Sequence, residues 1–267
     1  MLSLMSAEVP SPPLDLAIRE DAPPPGGPKP GTPLVVCFPS AGLASTIVGH
    51  YLIQKLNLAR IATVRSPLML SVSVILDGRP NPPIRIYGNE RLAVAVSEFP
   101  PAPALMTYLA RVLLDWCAKR GLGPIYAVEG VLQKEEDGEA PEPEGVVVGV
   151  PATEECVKAL EKAEVPRLDQ GVVAGLSGDL LNEASYDGAA LSVLFTRIGV
   201  AELPDHRAAA HLLQVLDRLI PGLAVDPAPL VKQAEVLEKA LKTSMKMHPT
   251  SGPKELERVA PEPSIYG

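Results

Sequence analysis

Cysteine, aromatic residues and basic charge are what this chain is short of. Its 267 residues include 3 cysteines, 1 tryptophan, 3 phenylalanines and 6 tyrosines. Cys37, Cys117 and Cys156 are far apart in sequence, and so odd and sparse a set excludes a disulfide framework or a cysteine-based zinc site. Buried intracellular thiols are what remains. With few rings available, alanine, valine and leucine must fill the interior. The net charge is −8 with no clustered basic stripe, which argues against nucleic acid as the main partner. No apolar run approaches the ~20 residues of a membrane span. The first ten residues, MLSLMSAEVP, lack the basic n-region and long apolar h-region of a secretory signal. The expectation is a cytoplasmic protein with no membrane partner. Asparagine and glutamine are scarce and proline is abundant, which points towards a thermophile.

Catalytic signatures are missing too. There is no GxxxxGK[ST] loop, no GxGxxG after the first strand, no HExxH and no GxSxG. His50 falls on the first helix and His248 near the end of the chain. His206 and His211 are five apart, which does not put them on one helix face as metal ligands. No metal and no cofactor are expected.

What is present is a regular alternation of strand and helix signals. Residues 1–32 carry SPPLDL and DAPPPGGPKP and look like a flexible, polyproline-type arm. Leu34–Phe38 is a short apolar run, as expected of a strand buried on both faces. Residues 42–56 place Leu43, Ile47, Tyr51, Leu52 and Leu56 at helical spacing. Ser71–Leu76 and Ile84–Tyr87 flank DGRPNPP as a β-excursion around a turn. Leu92–Val96 is a further buried strand. A helix starts at Pro103, ends on Lys119 and Arg120, and has Gly121 at C′. Strands are predicted at 125–128 and 146–150, on either side of the acidic loop QKEEDGEAPEPEG. A short helix follows over 153–163, then a strand over Gly171–Gly175, with Ser177 capping the helix DLLNEAS. Gly188 closes that helix, residues 190–195 form the last buried strand, and 205–220 is helical. Asp226 and Pro227 open a final helix that runs to about residue 245. No internal repeat is visible. The pattern predicts an α/β fold, a mainly parallel sheet covered by helices on both faces. The domain occupies 33–226, followed by a C-terminal helix over 227–245 and a flexible tail over 246–267.

Several stretches resemble the proteasome assembly chaperone family of the second-subunit type, including its archaeal members. They are CFPSAGLASTIVGHYLIQKL, DGRPNPPIRIYG, LARVLLDWCAKRG, GVVAGLSGDLLNEA and DHRAAAHLLQVLDRL, spread over about three-quarters of the chain between Val35 and Leu241. The sequence departs from the family pattern at Ser40, where an acidic residue is common, and at His206, where proline is common. The resemblance implies a three-layer α/β/α domain similar to nucleoside phosphorylases and peptidyl-tRNA hydrolases. It also implies homo-oligomers and a part in proteasome biogenesis or gating.

In that light the last three residues, Ile265, Tyr266 and Gly267, fit a hydrophobic–tyrosine–any docking motif. A terminal carboxylate is captured by a pocket lysine between α-subunits of the 20S ring, and the tyrosine ring fills an apolar slot. Leu230, Ala234, Leu237 and Leu241 form a heptad-like stripe, open to two readings: an oligomerisation seam, or packing on the parent domain. The competing class is an enzyme, a small-molecule hydrolase or an ATP-dependent ligase-like protein. Its ligand would sit beyond the strand C-termini near Ser40, Gly42, Glu98, Glu129, Ser177 and Gly178. There the backbone amides of 41–43 and 178–180 would cradle an anion, and Glu98 and Glu129 would share acid–base work. A third reading is an interaction module for unrelated partners.

Overall fold

The structure, a computed structural model, describes residues 16–21, 26–132, 145–199 and 203–247, with side chains of the last helix described to Leu237. In chain order the strands are β1 (Ala17–Glu20), β2 (Leu34–Cys37), β3 (Ala59–Arg65), β4 (Val74–Leu76), β5 (Arg79–Asn81), β6 (Ile84–Gly88), β7 (Ala93–Ser97), β8 (Ile125–Leu132), β9 (Val147–Pro151) and β10 (Leu191–Ile198). The helices are α1 (Ala44–Lys55), α2 (Pro103–Arg120), α3 (Glu154–Lys162), α4 (Gly175–Asp187), α5 (His206–Leu219) and α6 (Ala228–Met247).

Runs of consecutive apolar residues need cover on both faces, and β2 (LVVC) and β7 (AVAVS) are buried along their whole length. They lie at the centre of an eight-stranded sheet ordered β1-β3-β6-β7-β2-β8-β10-β9. The pairs β7–β2, β2–β8 and β8–β10 are parallel, and the outer pairs are antiparallel. Five strands (β3, β7, β2, β8 and β10) therefore run one way, against β1, β6 and β9. Helices α1, α3, α5 and α6 cover one face, with Val48, Leu160, Leu213 and Leu230 packed on Val35, Val94, Val128 and Leu194. Helices α2 and α4 cover the other, with Leu109, Leu113, Leu176 and Leu180 packed on Val36, Ala95, Ala127 and Val193. The α/β/α sandwich expected from the alternation is thus present.

Helix α1 rides very close to the sheet. A Cβ on Gly49 would lie 2.7 Å from Cys37 Cβ, so only glycine permits this approach. Helix ends follow their local chemistry. Thr153 and Asp205 accept from the backbone of Cys156 and Ala208, and Gly121 and Gly188 adopt left-handed C-caps at φ 64° and 71°.

Four local expectations are corrected. Residues 171–174 form no strand, and Gly175 already begins α4; Val172 is 95 % exposed. The place that strand would take, beside β9, is occupied: Gly149 donates to Pro166 O at 2.8 Å and its carbonyl accepts from Leu168 N at 3.1 Å. Ser177 does not cap α4, because it sits inside the first turn while Ala174 holds the N-cap position. The excursion is a hairpin of β4 with β5, and Ile84 onwards joins the main sheet instead. Two strands went unread: β3, whose ARIATVR mixes charge into a buried strand, and β1, which lies within the stretch read as an arm. Strand β1 is held by its ladder to β3 and by Glu20, which accepts from Trp116 Nε1 at 2.8 Å and pairs with Arg120 at 2.7 Å.

Candidate functional site

The expected cleft lies where β2, β7 and β8 end, and each strand leads a candidate residue there. After β2 the chain makes one tight turn over Ala41–Leu43, in which Gly42 (φ 64°) and Leu43 (φ 50°) are both left-handed. This turn is anchored on all sides. Ser40 Oγ accepts from Gly130 N at 3.0 Å, and Gly42 O accepts from Asp205 N at 2.8 Å. The amide of Leu43 is spent on Ser40 O at 3.0 Å, so it is not free for an anion. Gly130 is required by the close approach, since a Cβ there would lie 2.3 Å from Ala41 O. Ser40 is therefore a strut between β2 and β8.

Glu98 follows β7 on the α1 side of the sheet. His50 Nε2 of α1 lies 3.0 Å from its Oε1, and Arg85 Nη2 donates to the same oxygen. Arg85 is completely buried, and donates further to Pro82 O at 2.9 Å, Pro83 O at 3.2 Å and Tyr87 Oη at 3.2 Å. Burial alone would raise the Glu98 carboxyl. Hydrogen bonds from His50 and Arg85, with the Arg85 charge, outweigh it and hold the pKa down at about 2. Glu98 Oε2 is buried without a hydrogen-bond partner among the described residues.

Glu129 points the other way. It packs towards α4 and accepts from Ser177 Oγ. Burial raises its pKa and the Ser177 hydroxyl lowers it by less, so the carboxyl is pushed up. Gly178 sits in the same turn, where a Cβ would lie 2.5 Å from Val173 O. Beside it, Thr107 Oγ1 donates to Asp179 at 3.1 Å, and Arg111 clamps the carboxylate of Glu183 from 2.7 and 3.1 Å. These contacts tie α2 to α4.

The sheet thus separates the six cleft residues. Ser40, Gly42 and Glu98 face α1 and α5, whereas Glu129, Ser177 and Gly178 face α2 and α4. The two carboxylates do not share a cavity and cannot act on one substrate atom as acid and base. Among the described residues no group of histidine, cysteine and carboxylate side chains could hold a metal. A groove of about 490 Å³ lies at the opposite edge of the sheet, lined by Lys29, Thr32, Glu90, Arg91, Ile220 and Leu223 among others. None of the predicted site residues reaches it.

The remaining candidates lie on or beyond α6. Leu230 and Ala234 are buried on their own domain, at 2 % and 5 % exposure, and Leu237 is half-buried. The Leu241 side chain and the motif Ile265, Tyr266 and Gly267 lie outside the described residues.

The stretch from Ser66 into β4, of which Ser71–Leu76 is expected as part of a β-excursion, was given no functional role by the sequence. Here Leu68, Leu70, Val72 and Ile75 are 43 %, 44 %, 39 % and 63 % exposed. The signal was available, since the eleven residues SPLMLSVSVIL carry no charge at all.

The PAC2 family matches residues 34–245. The uncharacterized protein MJ0106 of Methanocaldococcus jannaschii is 29 % identical over 218 residues, which is 81 % of this chain and 87 % of that one. Pyrococcus furiosus PbaA, described as an archaeal homolog of proteasome-assembly chaperone, superposes with a TM-score of 0.74 at 29 % identity, covering 91 % of this chain and 97 % of its own. Pyrococcus furiosus PbaB, described as an archaeal proteasome activator, has the same fold, with a TM-score of 0.70 at 20 % identity over 86 % of this chain and 98 % of its own.

Proposed function

The chain belongs to the PAC2 family, and from that premise we propose that it is a proteasome assembly chaperone or activator. On this reading it docks on the 20S α-ring or its precursors. The observation that carries the proposal is the likeness to PbaA, which spans nearly the whole of both chains. The protein is cytoplasmic, a homo-oligomer, and works by binding without chemistry. No helix among the described residues is long and apolar enough to cross a membrane. The acid–base form of the enzyme alternative places Glu98 and Glu129 in one cleft, and the two lie on opposite faces of the sheet.

The anchor in this reading is the end of the chain. The Gly267 carboxylate pairs with a pocket lysine, the Tyr266 ring fills an apolar slot with its hydroxyl bonded at the far end, and Ile265 adds apolar contact. Ordering such a tail costs about 1–2 kcal/mol per residue in backbone entropy, so one tail binds weakly. Several tails on one oligomer offset this through effective concentration.

The test is binding to the 20S particle and the α-ring of the same organism, for the intact chain, Tyr266→Ala and a chain lacking Gly267. Loss of binding in both variants supports the tail as anchor. Equal binding by all three shifts recognition to the folded domain. No binding by the intact chain overturns the proposal.

A further inference from the structure

Strand β3 ends at Arg65 on the same edge of the sheet as β2, β7 and β8, because all four strands run in one direction. The chain leaves the sheet there and does not return until Ile84. In between it builds the hairpin of β4 and β5, a separate two-stranded sheet. Two strands alone are marginal in water. Its turn is well made, with Asp77 and Gly78 left-handed at φ 50° and 70°, as a two-residue hairpin requires. Among the described residues no strand pairs with its outer edge.

The register pairs Val74 with Asn81, Ile75 with Pro80 and Leu76 with Arg79. Pro80 has no N–H to give, so Val74 and Leu76 make the ladder bonds and the N–H and C=O of Ile75 turn outwards. Natural sheets protect such an edge with lysine, proline or a bulge. Here β4 has none of these, and the run leading into it is uncharged from Ser66 to Leu76. Leu68, Leu70, Val72 and Ile75 expose apolar surface along it, and Leu43 and Phe99, 44 % and 38 % exposed, add more at the same edge of the molecule.

We infer that this hairpin is a second docking surface, and that it holds an extended, uncharged, apolar segment of a proteasome α-subunit not yet built into a ring. This rests on the function proposed above. The chemistry of the partner segment follows from the surface. It must be extended to meet the outward N–H and C=O of Ile75, as in β-strand addition. It must be uncharged where it covers this run, because no side chain from Ser66 to Leu76 offers it a counter-ion. The area argues against a permanent partner. Four partly exposed aliphatic side chains offer on the order of 300 Å², the size of a functional patch on a monomer. A stable interface needs about 800 Å² from each side, so a second copy of this chain held by the hairpin alone would fall apart. A chaperone has use for such a contact, because it must let go of a subunit once the ring closes.

The experiment compares the full chain with Ile75→Lys, Ile75→Thr and Tyr266→Ala. Each is titrated by surface plasmon resonance against unassembled α-subunits and against the complete 20S particle, and its mass is read by sedimentation. Ile75 is largely exposed, so the fold tolerates both changes, and threonine keeps the strand preference while removing apolar surface. The expected result is at least a tenfold loss of affinity for free α-subunits with Ile75→Lys, a smaller loss with Ile75→Thr, and 20S binding within twofold of the parent. If Ile75→Lys binds free subunits as the parent does, the hairpin inference fails and the tail reading stands. If Ile75→Lys instead lowers the sedimenting mass, the occupant is a second copy and the inference is overturned. If the parent chain binds neither target, both proposals fall together.

Discussion

Glu98→Gln removes the charge partner of a guanidinium that is fully enclosed. The Arg85 side chain is 0 % exposed and that of Glu98 is 25 % exposed. The Glu98 pKa drops from an ordinary 4.5 to about 2 in the folded protein. At 1.36 kcal/mol per unit this corresponds to roughly 3 kcal/mol at neutral pH, and partial exposure of the carboxylate reduces it to about 2 kcal/mol. Because the folded pKa lies below the unfolded one, the contribution is present in full above about pH 5 and is lost as pH falls towards 2. Glutamine keeps the shape and one acceptor oxygen, so the change isolates the charge. For a domain of this size 1 kcal/mol moves Tm by roughly 2–4 °C, so Glu98→Gln should melt about 4–8 °C lower at pH 7. The gap should narrow steadily between pH 5 and pH 3 in circular-dichroism melts. Arg85→Met combined with Glu98→Gln closes a double-mutant cycle, with an expected coupling of about 1–2 kcal/mol. A Tm within 1 °C of the parent at pH 7, or a gap that does not change down to pH 3, would refute the argument.

Glu129→Gln should behave in the opposite sense. Burial raises the Glu129 pKa, so its neutral form contributes fully below the unfolded pKa and the contribution is lost as pH rises through the folded value. Glutamine stays neutral and still accepts from Ser177, so the variant should equal or exceed the parent at pH 8 by up to about 1 kcal/mol, with the difference gone by pH 4 in denaturant titrations. Gly130→Ala should cost about 2–3 kcal/mol in urea unfolding, because the new methyl would lie 2.3 Å from the Ala41 carbonyl and force the Ser40 turn off β8.

Helix ends were legible in the sequence because their chemistry is local. Pro103 at the first turn, the Thr153 and Asp205 caps, and the glycines at 121 and 188 each act within four residues. The four parallel strands at the centre were legible because an all-apolar run needs cover on both faces. The misread elements depend on distant partners. Strand β3 is recognisable only once Asp21 is there to take Arg60, at 2.7 Å. The stretch GVVAG has the composition of a strand, but the free edge of β9 is filled by residues 166–168. Composition reports what a segment could pair with, and it cannot report that the place is already taken.

The face that each cleft residue takes was illegible for a related reason. In a sheet with one wet face, polar alternation reveals which side each residue points to. Strands β7 and β8 are buried on both faces, and their apolar runs erase that record just before Glu98 and Glu129. The side then depends on parity alone: Glu98 is two residues beyond Val96, which packs on α1, and Glu129 is two residues beyond Ala127, which packs on α2 and α4. One residue of slip in either strand would have put the two carboxylates on the same side. As the chain is built, one carboxylate is held ionised by a buried arginine and the other is held towards neutrality by burial. Each ties an element to the sheet, Glu98 joining α1 and β6 to β7 and Glu129 joining α4 to β8. A pair of perturbed carboxylates at strand C-termini normally invites an active-site reading. Here the opposite faces give both shifts a structural origin.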